Sequence, residues 1–155
     1  MRRKDRETDA AFAWNVADKC EYAVMAMTLA DNTPYCVPLS IARKNETLYF
    51  HCAKEGKKAD ALRKNPKVCL VCVGDTHRME DKFSTEYESA VLFGVAEEVT
   101  GDGEKIEALR LICERHTPIN MANFETAIRE SLKKTAVWRI AVSEITGKRK
   151  SYKEK

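Results

Sequence analysis

Residues 47–66 have the sequence TLYFHCAKEGKKADALRKNP, which predicts a strand, a turn and a helix in immediate succession. Positions 47–52 are rich in apolar and aromatic residues, as is typical of a strand. Gly56 lets the chain turn, and the helix predicted over about 55–65 ends before Pro66, because proline disfavours helical backbone in the preceding residue. The stretch therefore predicts a strand that leads directly into the first turn of a helix.

Two lysines, Lys57 and Lys58, open this predicted helix. The first turn of a helix carries free N–H groups and the positive end of the helix dipole, so acidic side chains are favoured there and lysines are not. A bound anion such as a phosphate would account for the lysines, since it would contact the N–H groups and the ammonium groups together. The alternative is that both lysines are solvated surface charges.

On both sides of this stretch the apolar residues recur with a period of two, which is typical of strands. The predicted strands span residues 22–29, 34–42, 47–52, 67–73, 84–100 and 135–145. Helices are predicted over 8–20, 55–65 and 123–133 and after Gly101. About six antiparallel strands with few helices between them predict a mainly β fold, a small barrel with peripheral helices.

Three local features of this pattern carry further expectations. Pro38 indicates a sheet edge or a bulge, because proline cannot donate to a strand ladder. Gly94 indicates a bend in the long strand. Residues 74–82 are predicted to form a polar loop, and the basic residues after Gly147 are expected to be loose.

The composition limits the classes of protein to which this sequence can belong. The 155 residues, 44% hydrophobic and 33% charged, predict one globular domain over residues 1–148 with a basic tail at 149–155. The net charge of +3 gives no reason to expect nucleic acid as a partner. No apolar run approaches the roughly 18 residues that would span a membrane, and no apolar segment follows the charged start, so we expect a cytoplasmic protein.

Six cysteines stand out in the composition. Most lie in apolar contexts and are expected to be free thiols that pack as small hydrophobic side chains in a reducing compartment. Cys69 and Cys72 have the spacing of half a metal site, but residues three apart on a strand face opposite sides of the sheet. We therefore expect no metal site.

Four segments, 37–40 (VPLS), 48–53 (LYFHCA), 56–58 (GKK) and 62–69 (LRKNPKVC), occur here in a characteristic order. With the opening 1–6, the strand 87–97 and the end 140–148, they resemble the FMN-binding split-barrel superfamily related to pyridoxamine 5'-phosphate oxidase. Within that superfamily the sequence most resembles the 5-nitroimidazole-resistance (Nim) proteins. The resemblance covers nearly the whole chain.

The resemblance implies an antiparallel split barrel that binds FMN at the interface of a homodimer. It places the strand 35–40 beside the flavin ring, His51 and Cys52 near the ribityl or phosphate group, and Lys57 and Lys58 at the phosphate. The residues implied or expected to bind the cofactor are Val37, Pro38, Leu39, Ser40, His51, Cys52, Gly56, Lys57, Lys58, Ser89 and Trp138.

The resemblance also suggests two roles for His51. It could act in catalysis by donating a proton to a reduced substrate, or it could bind the flavin phosphate or lie half-buried without a catalytic role. We expect an FMN-dependent oxidoreductase that reduces a small, nitroaromatic-like substrate. The alternative is a flavin- or haem-binding storage or sensor module without turnover.

Two departures from the family pattern qualify these expectations. The substrate-binding segment that follows a tryptophan in true pyridoxamine phosphate oxidases is not found at the end of this sequence, so oxidation of vitamin B6 is not expected. Lys54 stands where the Nim proteins usually have a proline, which predicts a looser loop before the two lysines.

Overall fold

The computed structural model describes residues 2–151. Its strands are β1 (Glu7–Thr8), β2 (Ala23–Thr28), β3 (Pro34–Leu39), β4 (Ala42–Lys44), β5 (Thr47–Ala53), β6 (Lys67–Met79), β7 (Ser84–Glu98) and β8 (Thr135–Lys150). Its α-helices are α1 (Ala10–Lys19), α2 (Lys57–Lys64), α3 (Asp102–His116) and α4 (Phe124–Ser131). Short 3-10 turns occupy Lys4–Arg6, Pro118–Asn123 and Leu132–Lys134.

The described strands form one antiparallel sheet in the order β3-β2-β6-β7-β8-β5-β4, and β1 pairs with β8. This confirms the mainly β, antiparallel barrel with peripheral helices, but the sheet has eight strands rather than six. The predicted strand 34–42 divides at Ser40 and Ile41, because its first part pairs with β2 and its second part with β5. This corner therefore connects the two strands at opposite ends of the sheet order, β3 and β4.

Two segments predicted to be irregular are strands instead. β6 continues to Met79 and β7 begins at Ser84, so most of the predicted loop 74–82 belongs to a long hairpin, with a register shift between Val73 and Thr76. The expectation that the chain is loose after Gly147 is wrong as far as Lys150, because β8 pairs there with β7, and at Lys148 also with β1. Residues 152–155 of the predicted tail lie outside the described residues.

Two apolar clusters lie on opposite faces of β5 and the first part of β8. The larger cluster fills the barrel and includes Phe50, Trp138, Leu70 and Leu92, all nearly or completely buried. The smaller one packs Tyr49 and Val137 from the other face against α3 and α4. Because strand side chains alternate between faces, neighbouring residues of β5 belong to different environments.

The predicted bend at Gly94 coincides with a register shift between β7 and β8 at Phe93 and Gly94. A β-carbon at Gly94 would lie 2.5 Å from the carbonyl oxygen of Ala141, so the close approach of the two strands requires glycine. Pro38 lies on β3 at the edge of the sheet, as predicted. No helix among residues 2–151 is long and apolar enough to cross a membrane.

All six cysteines are free thiols, with Cys20 and Cys72 buried and Cys36 exposed. Cys72 points into the barrel core, whereas its neighbour Cys69 is half-buried. Within the described part of the chain, no three His, Cys, Asp or Glu side chains come together as a metal site.

Candidate functional site

The strand-to-helix turn predicted from the sequence is present between β5 and α2. Gly56 directly precedes α2 and has a φ of 126°, a conformation that strains any residue with a β-carbon. It contributes no side-chain cap, so the first N–H groups of α2 receive no capping acceptor from this position. The turn therefore presents backbone donors to whatever binds there.

Lys57 and Lys58 extend from this turn over two aromatic rings. The Lys57 ammonium group lies 5.0 Å from the centroid of the Tyr35 ring, and that of Lys58 lies 5.5 Å from the centroid of Phe50. Among residues 2–151 neither lysine forms an ion pair with a carboxylate, and Asp60 in the same turn is near Arg63 instead. Both cations are therefore available to an external anion.

A cleft of about 560 Å³ opens beside Lys57, between α2 and the end of β2. Its lining residues are Leu29, Ala30, Asp31, Lys57, Asp60, Ala61 and Lys64. The donors at the start of α2, two ammonium groups and free backbone N–H groups, are those that bind a phosphate monoester. The donors at the start of α2 thus fit the phosphate end of a flavin mononucleotide. The cleft itself is lined by Lys57 but not by Lys58, and it also contains the carboxylates of Asp31 and Asp60.

His51 lies one residue beyond Phe50 and faces the opposite side of β5, where it is exposed. Desolvation by the surrounding protein lowers the pKa of His51, and the positive charges of Lys58 and His116 lower it further. His116 is held in place by a 2.8 Å hydrogen-bond contact between its Nε2 and the carbonyl oxygen of Ile41.

Cys52 and Trp138 lie on the core side of the same strand pair. Cys52 is half-buried, and burial raises the pKa of its thiol. Trp138 is only 2% exposed and its ring is parallel to that of Phe50, with the ring centroids 6.4 Å apart. Trp138 therefore supports Phe50 from within the barrel and offers no surface of its own to a ligand in this chain.

The edge strand β3 presents few hydrogen-bond donors. The Leu29 N–H donates to the Thr33 carbonyl, so these two residues form a hydrogen-bonded pair of the β2–β3 ladder. Because hydrogen-bonded and non-hydrogen-bonded pairs alternate along an antiparallel ladder, the backbone groups of Pro34, Cys36 and Pro38 point away from β2. Since proline has no N–H, Cys36 is the one residue of β3 that can donate a backbone hydrogen bond outward. A flat ring beside this edge would contact mainly carbonyl oxygens.

The four residues of this region predicted to bind the cofactor lie in different environments. Val37 is half-buried against the barrel core and Leu39 is buried, whereas Pro38 and Ser40 are exposed. Tyr35, on the same face as Val37, lies beneath Lys57 and was not singled out by the sequence. The sequence feature that could have identified Tyr35 is its position on the predicted strand, two residues before Val37.

Ser89 is distant from Trp138 within one chain, although the ladder from Leu39 through Ala23 and Cys72 to Ala90 places it only three strands from the predicted residues of β3. It lies on β7 opposite Lys148, and Lys148 is ten residues (148 minus 138) further along β8 than Trp138. At ~3.3 Å per residue this is roughly 33 Å along the strand. A single chain therefore does not bring Ser89 to Lys57 and Lys58.

An exposed apolar surface covers the outer face of the sheet around Ser89. It consists of Val24, Val71, Val73, Phe93 and Val95, which are 36–51% exposed. Val24 and Val71 are opposite each other on β2 and β6, and Phe93 is opposite Cys69. We call these five residues the outer apolar face.

The model of the family described as pyridoxamine 5'-phosphate oxidase matches residues 9–149. The chain belongs to this family. Its members share the split barrel that the resemblance implied, and the sheet described above has that fold. None of the curated proteins is a significant match to the sequence.

Several solved structures are similar to this chain in fold. A protein from Bacteroides thetaiotaomicron VPI-5482, assigned provisionally to 5-nitroimidazole antibiotic resistance, is 25% identical, with a TM-score of 0.75 over 90% of this chain and 83% of its own. The FAD and haem binding protein from Mycobacterium smegmatis is 20% identical, with a TM-score of 0.80 over 95% of this chain and 74% of its own. A haem storage protein from Vibrio cholerae is 15% identical, with a TM-score of 0.68 over 90% and 94%.

Proposed function

We propose that this protein binds FMN and uses it to reduce a small electrophile such as a nitroaromatic compound. The observation that carries the proposal is the pair Lys57 and Lys58 at the start of α2, two cations that form no ion pair with a carboxylate among residues 2–151. The family and the FAD-binding and nitroimidazole-related structural neighbours support a flavin as the ligand of this fold. We also propose that the protein is located in the cytoplasm.

The protein's own residues would hold the cofactor and handle protons. When bound, the flavin supplies the two-electron chemistry, with a nicotinamide nucleotide as the electron donor. Lys57 and Lys58 would bind the phosphate, and the edge strand β3 would lie beside the ring. Reduction of a nitro group to a nitroso group takes two electrons and two protons and releases water, and in this proposal His51 passes one proton to the substrate oxygen.

A second copy of the chain completes the site in this proposal. Ser89 and the two lysines belong to one flavin site only if Ser89 comes from a partner. Ser89 lies on the same side of the sheet as the outer apolar face, and burial of five apolar side chains would favour association. We therefore propose a homodimer with the flavin at its interface.

Flavin titration of the purified protein tests the proposal. We expect absorbance bands near 370 and 450 nm, a general property of flavins, after reconstitution with FMN. The variant Lys57→Ala/Lys58→Ala should bind FMN at least about tenfold more weakly, because two charge-assisted contacts are lost. The variant Lys67→Ala/Lys105→Ala removes the same charge elsewhere and should bind FMN normally. Equal affinities in the two variants would refute the phosphate site.

The same sample distinguishes catalysis from storage. We expect the FMN-loaded protein to oxidise a nicotinamide nucleotide when a nitroaromatic compound is added, and His51→Ala to slow this turnover. A loaded protein that neither NADH nor NADPH reduces would instead be a non-catalytic flavin module. A Soret band in the spectrum of the purified protein would indicate haem, for which the Vibrio cholerae neighbour is a precedent on this fold.

A further inference from the structure

A second group of cations lies at the far end of β8, away from Lys57 and Lys58. Lys148 is opposite Glu7 of β1 on one side and opposite Ser89 of β7 on the other. The 3-10 turn Lys4–Arg6 leads into β1, so the start of the chain brings Arg6 to this end of the sheet. Residues distant in sequence thus meet at one place on the surface.

Two of these cations, Arg6 and Lys148, have at most a long ion pair with a carboxylate among residues 2–151. The Arg6 side chain is 22% exposed, and its contact with Asp5 is 3.8 Å long. Asp5 is instead engaged by Arg3, whose Nε donates to Asp5 Oδ1 at 2.7 Å. Lys148 is half-buried and forms no ion pair within residues 2–151, although the exposed Glu7 is its neighbour across the ladder. Half-buried cations lose hydration and are stabilised by an anion that replaces it.

Tyr87 joins the two cations. The Lys148 ammonium group lies 5.7 Å from the centroid of the Tyr87 ring. Burial by itself raises the pKa of the Tyr87 hydroxyl, but hydrogen bonds from Lys148 and Arg6 outweigh burial and the pKa is lowered. The three side chains together offer a guanidinium fork, an ammonium group and a phenolic hydroxyl, all of which can donate to phosphate oxygens.

The surface beside Arg6 and Tyr87 has room for a ligand of nucleotide size, in two adjoining clefts that share Arg149, Lys150 and Ser151. Arg6 lines the larger cleft and Tyr87 the smaller one, and Lys148 lines neither. A cleft of about 490 Å³ is lined by four basic residues and two acidic ones, with Thr8 and Ser151. The charged lining residues are Arg3, Arg6, Arg149, Lys150, Asp5 and Glu7. Ligand pockets typically have volumes of roughly 300–1,000 Å³, and a positive lining favours anions.

We propose that Arg6, Tyr87 and Lys148 bind a phosphate ester at a site separate from the turn before α2. In this proposal the phosphate belongs to a second nucleotide such as an electron donor. The alternative is the flavin's own phosphate, with Ser89 and Lys148 facing a second copy, and it would replace the α2 turn as the flavin phosphate site. Direct binding of inorganic pyrophosphate tests the site itself. The result is therefore independent of whether the protein turns over a substrate.

Pyrophosphate titration followed by residue-resolved NMR separates this site from the α2 turn. We expect saturable shifts in the backbone signals of Arg6, Tyr87 and Lys148. In Arg6→Ala/Lys148→Ala, binding at this site should weaken at least about tenfold, because two charge-assisted contacts are lost. Tyr87→Phe should weaken it several-fold. Lys67→Ala/Lys105→Ala, which removes the same charge elsewhere, should bind as the unaltered protein does.

Titrations with FMN and with ADP then identify the source of the phosphate. Weaker FMN binding by Arg6→Ala/Lys148→Ala would assign the site to a flavin shared between copies, and weaker ADP binding alone would assign it to a second nucleotide. Absence of pyrophosphate shifts at these three residues in the unaltered protein overturns the proposal, as does unchanged affinity in both variants. Lys57→Ala/Lys58→Ala should retain these shifts. Loss of the proposed flavin phosphate site at the α2 turn can therefore be distinguished from loss of the site at Arg6, Tyr87 and Lys148.

Discussion

Lys58 holds its ammonium group 5.5 Å from the centroid of the Phe50 ring, and Phe50 is buried parallel to Trp138. The cation of the candidate site is thus supported by the aromatic pair of the barrel core. A cation over a ring face is attracted by the ring quadrupole. Stability and ligand binding should therefore be coupled at this point, whereas exposed aromatic residues elsewhere should affect neither.

Truncation of Phe50 tests this coupling. Phe50→Ala should lower the free energy of unfolding by about 3–5 kcal/mol, because a completely buried ring leaves a cavity, and it should weaken FMN binding. Urea unfolding and flavin titration measure the two effects. Phe83→Ala is the control, since Phe83 is fully exposed and its loss should change stability by less than about 0.5 kcal/mol. Similar stability losses in both variants would contradict the packing described here.

The bend at Gly94 should tolerate no side chain. Gly94→Ala should cost about 1–3 kcal/mol of unfolding free energy, because its methyl group would meet the Ala141 carbonyl and the strands would have to move apart. Gly103→Ala, at a helical position with no atoms within 4 Å of the added carbon, should be neutral or stabilise by up to ~1 kcal/mol. Thermal or urea unfolding of the two variants gives the comparison, and a neutral Gly94→Ala would disprove the close approach.

The charge on Lys58 should influence His51. Because Lys58 is one cause of the lowered pKa of His51, Lys58→Ala should raise that pKa, and NMR titration of the imidazole ring measures it. The folded state binds this proton less readily than the unfolded state, so His51 lowers the unfolding free energy as the pH falls below about 6.5. Lys105→Ala serves as the control and should leave the His51 titration unchanged.

The outer apolar face should hold two copies together. We expect a dimer by light scattering after size-exclusion chromatography, and Val71→Asp should shift it towards the monomer, since a carboxylate at the centre of an apolar interface would be desolvated. Ile119→Asp introduces the same charge at a 99% exposed apolar position off this face and should leave the dimer intact. A monomeric unaltered protein would exclude the proposed interface.

Local sequence patterns were sufficient for several parts of the fold. The period of two and the turn residues identified the main strands, and the glycine–lysine–lysine run located the start of α2. Gly94 and Pro38 marked the bend and the sheet edge because each has a backbone property that few positions accept. Such features depend on neighbouring residues only, so they can be predicted without knowledge of the fold.

Other features were decided by pairing between distant segments. The polar residues 74–79 and the basic residues 147–150 have weak strand signals, and they are strands because long neighbours supply their hydrogen bonds. The family resemblance implied that Trp138 binds the cofactor, and its register opposite Phe50 places it in the core of its own chain.

The sequence by itself thus determined the fold class and the cationic turn at Lys57 and Lys58. Only the tertiary structure decided that Ser89 is remote from that turn within one chain and that Arg6, Tyr87 and Lys148 meet at one end of β8. The physical reason is that strand periodicity specifies which face a residue occupies, whereas the ladder register specifies which distant residues become its neighbours.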